Sequence, residues 1–188
     1  MDSKVELKKL IRELSYREGN FTLSSGQKSS YYVNLKPTAL HPEGAHLIGK
    51  LMVERLLSEV KTGSLKVDAV GGLTLGADPI ATSVSLAARE KATHWPAFIV
   101  RKEAKGHGTE QYIEGAENLQ AGASVAVLED VSTTGASSLK AVERLRAAGF
   151  TPTCVFTVVD REMGAVDLYA KEGLPFYWLF KLSEIQAG

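Results

Sequence analysis

The 188-residue chain is predicted to be an α/β protein: a mostly parallel central sheet flanked by helices, with a small N-terminal cap. Three observations predict it. Short apolar, β-branched runs recur at 67–71, 97–101, 124–129, 153–159 and 176–180. Stretches with helical spacing lie between most of them, at 43–60, 77–89, 136–148 and 164–171. No repeat, low-complexity tract or linker divides the sequence, so one domain over residues 1–188 is expected. Strands that alternate with helices return to the same edge of a sheet, which gives parallel pairing and covers both faces.

The elements follow in order. Leu7, Leu10, Ile11 and Leu14 lie on one stripe of a charged amphipathic helix, a pattern unlike a signal peptide. A polar stretch at 21–30 then leads into the extended Tyr31, Tyr32, Val33, Asn34 and Leu35, ended by Pro37. Residues 1–40 are expected to contribute the cap over the carboxyl edge of the sheet. In the 43–60 helix, Leu47, Ile48, Leu51, Met52 and Leu56 face inward. The single cysteine, Cys154, sits in an apolar run and reads as a core thiol; with no partner for a disulfide, a reducing cytoplasm fits. Lys and Arg number 22, as do Asp and Glu, and no basic arm appears, so nucleic acid and anionic membrane are not expected partners. No apolar run approaches the roughly 18 residues of a membrane span. His41, His46 and His94 have no acidic or cysteine partners at metal-ligand spacing.

Residues 125–138 carry the chemistry. The apolar run 125–128 ends in two acids, Glu129 and Asp130. Val131, Ser132, Thr133, Thr134, Gly135, Ala136, Ser137 and Ser138 follow, and a helical stripe of Leu139, Val142, Leu145 and Ala148 then runs to Gly149. This is a buried strand, a tight polar turn and a helix start. Unpaired N–H groups and the helix dipole make such a start a seat for phosphate, and five hydroxyls surround it. The turn alone reads equally well as a plain capping turn. The acids shift the balance, because two carboxylates at the carboxyl end of a buried strand gain little unless they bind something. Sugar hydroxyls or a divalent cation would satisfy them, so the local inference is a site for a sugar bearing a phosphate.

These residues resemble the phosphoribosyl-diphosphate signature of type I phosphoribosyltransferases, in which hydrophobic residues precede two acids and a Thr-Thr-Gly turn. Many members carry two aspartates where this chain has Glu129-Asp130. The resemblance implies that the acids hold the ribose hydroxyls and that 131–137 bind the 5′-phosphate. Further segments are similar to the orotate branch of the family. Arg101, Lys102, Lys105, His107 and Gly108 match an Arg-Lys-x-x-Lys-x-His-Gly loop that grips the diphosphate, partly from the neighbouring subunit. By that match, 102–112 form a mobile loop shared across a homodimer, and Lys105 and His107, with Asp130, have catalytic roles.

Residues 71–79, rich in glycine, resemble the loop whose backbone meets the diphosphate; some relatives carry lysine where Gly76 stands. Asp160-Arg161, read alone, is a surface ion pair of little energetic worth. In the orotate branch the arginine lies on orotate, a planar fork for a carboxylate or imide edge. Residues 21–32 are similar to the branch's Phe-Thr-Leu-x-Ser-Gly-x-x-Ser-x-Tyr stretch, with Ser24 where many members have lysine. Tyr32 and Val33, largely through backbone, and Thr133 would join Arg161 around the pyrimidine.

The implied activity is transfer of the phosphoribosyl group to orotate in the cytoplasm. Mg²⁺ would be held mainly through substrate oxygens and water, with no metal ligand set of the protein's own. A phosphoribosyltransferase for another base and a non-catalytic phosphoribosyl-diphosphate sensor are the alternatives. Arg161 and the Tyr31-Tyr32 cap point away from the first, the cationic loop and balanced charge from the second.

Overall fold

The computed structural model describes residues 2–22, 28–103 and 112–187. Helix α1 (Ser3–Leu14) starts on Asp2, whose carboxylate accepts the Lys4 N–H at 2.9 Å, and it buries Leu7 and Ile11. Strands β1 (Tyr16–Thr22) and β2 (Lys28–Val33) then form an antiparallel hairpin, with Tyr16 opposite Val33. The ladder thus begins at Tyr16, before the polar stretch 21–30, which supplies the end of β1 at 21–22 and the start of β2 at 28–30. Both strands are largely exposed, which is why charged and polar residues fill them and hide the strand from an apolar pattern.

After the single turn α2 (Lys36–Ala39), helix α3 (Pro42–Lys61) runs close to its predicted 43–60 and buries Leu47, Ile48, Met52 and Leu56. The remaining elements alternate. They are β3 (Ala69–Leu73), α4 (Ala77–Glu90), β4 (Ala97–Val100), β5 (Ile113–Glu114), β6 (Ser124–Ser132), α5 (Ala136–Ala147), β7 (Thr151–Asp160), α6 (Ala165–Lys171), β8 (Phe176–Lys181) and α7 (Leu182–Gln186).

The main sheet has the order β5-β4-β3-β6-β7-β8, with every pair parallel except β4–β5. Side chains of β6 alternate between two cores. Ala126 and Leu128 pack with α1, α3 and α4, while Val125 and Val127 pack with α5 and α6. A strand covered on both faces has no polar side, which explains the unbroken apolar run in the sequence. Each fully buried Leu or Phe here contributes roughly 1.5–3 kcal/mol. Cys154 lies in the first core, and burial pushes its thiol up to about 12, as a structural thiol requires.

Helices α4 and α5 leave neighbouring strands β3 and β6 toward opposite faces. The carboxyl ends of these two strands thus flank the crevice that such a divergence opens. Among the described residues, no helix is long and apolar enough to cross a membrane.

Candidate active site

Strand β6 continues further than its apolar run, through both acids to Ser132, with Val131 opposite Val159 and Ser132 opposite Asp160. Thr133, Thr134 and Gly135 make the turn into α5. Gly135 has φ +85°, a conformation in which a side chain is strained, and a Cβ there would lie 2.9 Å from the Tyr169 ring and hydroxyl. The Tyr169 hydroxyl donates to the Gly135 carbonyl at 3.0 Å. This buried tyrosine of α6 braces the turn from below, a role that only the fold reveals, since it is 34 residues away. The turn encloses a cavity of about 70 Å³ lined by Glu129 and by 131–137. Ser132 Oγ is buried there without a hydrogen-bond partner. The cavity therefore offers helix N–H groups, hydroxyls and an unused donor, which suits a phosphate.

The two acids part company. Glu129 is buried, and its carboxyl accepts the Ser138 hydroxyl from the first turn of α5 and the Asp130 N–H at 3.3 Å. Burial, with the neighbouring Asp130, pushes its carboxyl up to about 8. At neutral pH it is mostly protonated, so the cup does not set a full negative charge against a phosphate. Asp130 accepts the Val131 N–H at 2.8 Å and stands toward the β3–α4 turn.

That turn is shorter than the glycine-rich sequence implied. Gly71 and Gly72 lie inside β3, paired with Phe98 and Ile99 of β4, and only 74–76 form the connection. The Thr74–Leu75 peptide is cis. Gly76 has an ordinary φ of −64°, yet a Cβ on it would lie 2.6 Å from Asp130 Oδ1. Glycine is needed here for room beside the acid, and a lysine at this position would have to displace Asp130. Thr74 donates to Asp78 at 2.8 Å, and the other Asp78 oxygen is buried without a partner.

Beyond β4, Arg101 forms an ion pair with Glu114 at 2.8 Å, and Lys102 is exposed. Both border a cavity of about 380 Å³ that also touches Thr74, next to the β3–α4 turn. Lys105 and His107 lie outside the described residues, as does Ser24.

On the other side of the cup, Asp160 and Arg161 are not paired with each other. Asp160 is buried, accepts the Glu162 N–H at 3.0 Å, and is held above the usual carboxylate range by burial. The reading as a surface ion pair fails because the last residue of β7 points into the fold. Arg161 instead reaches Thr133 and the Tyr31 hydroxyl through long hydrogen bonds of 3.4 Å each. Its guanidinium stands 5.3 Å from the centre of the Tyr31 ring, and its Nε is buried without a partner. Tyr32, expected to contact a pyrimidine largely through its backbone, turns its side chain outward by strand alternation, 44 % exposed, against Phe21. The period of two groups Tyr31 with Val33 on the opposite side, where the Tyr31 ring meets Arg161. The hairpin thus meets Arg161 at the same edge as the cup.

Among the described residues, no three His, Cys, Asp or Glu side chains cluster as a metal site. The carboxylates present, Asp130 and Asp78, offer oxygen donors only, which suits a hard divalent cation shared with substrate oxygens.

No protein-family model matches the chain. Individual proteins match along nearly its whole length. An orotate phosphoribosyltransferase from Nostoc sp. is 51% identical over 177 residues, 94% of this chain and 82% of that protein. One from Aquifex aeolicus is 49% identical over 183 residues, 96% of each chain. The solved structure of the Mycobacterium tuberculosis orotate phosphoribosyltransferase with 5-phospho-α-D-ribosyl 1-diphosphate superimposes with a TM-score of 0.78 at 38% identity, covering 98% of this chain and 99% of that one. By these matches the chain belongs to the orotate phosphoribosyltransferase family.

Proposed function

We propose that the protein transfers the 5-phosphoribosyl group of phosphoribosyl diphosphate to orotate, giving orotidine 5′-monophosphate and diphosphate. One observation carries this reading: the phosphate-sized cup and Arg161 share Thr133, which lines the first and bonds the second. A sugar phosphate in the cup would have its anomeric carbon directed at whatever Arg161 holds.

In this reading 131–137 take the 5′-phosphate, and Asp130 and Glu129 take the ribose hydroxyls. Arg161, Thr133 and the backbone of Tyr32 and Val33 hold orotate. Orotate N1 forms the new bond to C1 as the C1–oxygen bond breaks; that bond's electron pair leaves with the diphosphate, and the N1 proton passes to the diphosphate or to water. Positive charge on the ribose and negative charge on the leaving group grow together, so the protein's task is to position, neutralise and keep water out. Arg101 and Lys102, with Lys105 and His107, receive the diphosphate, and Lys105 and His107 can donate to its departing oxygen. Mg²⁺, held near Asp130 mainly through substrate oxygens and water, would supply further neutralising charge when bound. A single cytoplasmic domain acting as a homodimer, with 102–112 shared between subunits, completes the proposal.

The test is loss of orotate absorbance with phosphoribosyl diphosphate and Mg²⁺. Arg161→Ala should raise KM for orotate about a hundredfold while leaving ribose 5-phosphate affinity within about twofold. A parent that consumes adenine or uracil but no orotate would overturn the assignment of the base.

A further inference from the structure

Helix α5 closes the cup with its first turn. About two turns further along, Arg144 reaches the segment that leaves β4. Its guanidinium donates to the Arg101 carbonyl and, at 2.8 Å, to the Lys102 carbonyl. Its face lies 4.4 Å from the centre of the Tyr112 ring. The β4–β5 ladder ends at Val100 opposite Ile113, followed by one bond from the Arg101 N–H to the Tyr112 carbonyl at 2.7 Å. Among the described residues, no ladder N–H past that point reaches either carbonyl. Arg144 supplies one to each and touches the returning strand as well.

We infer that Arg144 is a positioning residue for phosphoribosyl transfer, setting Arg101 and Lys102 relative to the 5′-phosphate cup through one rigid helix. The inference rests on the proposed function. Eight residues of α-helix separate Ala136 from Arg144, a fixed span of about 12 Å. The two anion-binding segments are thereby held to one element, though 31 residues separate Arg101 from Ser132 in the chain. Only arginine serves this geometry. A planar fork addresses two successive carbonyls while its face stacks on the tyrosine; an ammonium cannot do both.

Arg144→Ala should lower kcat/KM for phosphoribosyl diphosphate about thirtyfold, since small misplacements of charged groups cost rate steeply. KM for orotate and the affinity for ribose 5-phosphate should stay within about threefold, and Arg144→Lys should recover less than half of the loss. Amide hydrogen exchange at Arg101 should quicken about tenfold or more in both variants, a readout independent of turnover.

Unchanged exchange overturns the clamp. Faster exchange with kcat/KM within about twofold of the parent overturns its role in transfer. Parallel loss of ribose 5-phosphate binding in both variants shows general damage to α5 and overturns positioning as well. A parent that consumes no orotate brings down the reading of the reaction and this role with it, while the exchange rate still reports whether Arg144 holds the stem.

Discussion

Two turns leave the sheet at its carboxyl edge, one after β6 and one after β3, and both end in a glycine that opens a helix. The glycines answer different needs. Gly135 supplies a positive φ that no side chain adopts cheaply, and Tyr169 holds its carbonyl. Gly76 has helical dihedrals and supplies only space, for the carboxylate of Asp130. The first turn sets its own hydroxyls around a cavity. The second is a wall whose thinness serves the acid opposite. A glycine in a sequence does not say which of these it is; the torsion and the neighbour do.

Substitution separates the two. Gly135→Ala should have the largest effect, because the strained φ and the contact with Tyr169 add to roughly 3 kcal/mol. Thermal denaturation should show Tm lower by about 10 °C, and titration should show ribose 5-phosphate binding lost. A Tm and affinity near the parent's would mean that the turn adapts freely. Gly76→Ala should leave Tm within about 3 °C, since alanine suits a helix start with these dihedrals. Its kcat/KM for phosphoribosyl diphosphate should fall about a hundredfold as Asp130 shifts. If stability fell and activity held, Asp130 would not be the group that needs the room.

A third contrast concerns Glu129. Its carboxyl titrates near 8 in the fold and near 4.5 in the unfolded chain. Between those values the unfolded chain releases a proton that the fold retains. The stability it confers is complete below about pH 4.5 and is lost as pH rises toward 8. Glu129→Gln keeps an acceptor for Ser138 and abolishes the titration. The difference in Tm, variant minus parent, should therefore grow from pH 5 to pH 8. Parallel pH profiles for the two proteins would show that the carboxyl is not held neutral.

Much of the architecture was legible in the sequence because it is local. Apolar runs marked the inner strands, and the stripe from Leu47 to Leu56 placed α3 to within a residue or so at each end. The cup was legible for the same reason: its residues are consecutive. What stayed hidden depends on distant contacts or on elements without an apolar face. The β1–β2 hairpin is largely exposed, with few apolar residues on its inner side, so Arg17, Glu18 and Asn20 concealed it. Asp160 looked like a surface acid until β7 proved long enough to bury it. Tyr169 and Arg144 act on residues 30 or more positions away, and no pattern within their own elements reports that.

The divergence of α4 and α5 from adjacent strands has a geometric corollary. Whatever lodges between the two turns must rest on the rim of the sheet, with a hydroxyl-lined bend on one flank and a single glycine's thickness on the other.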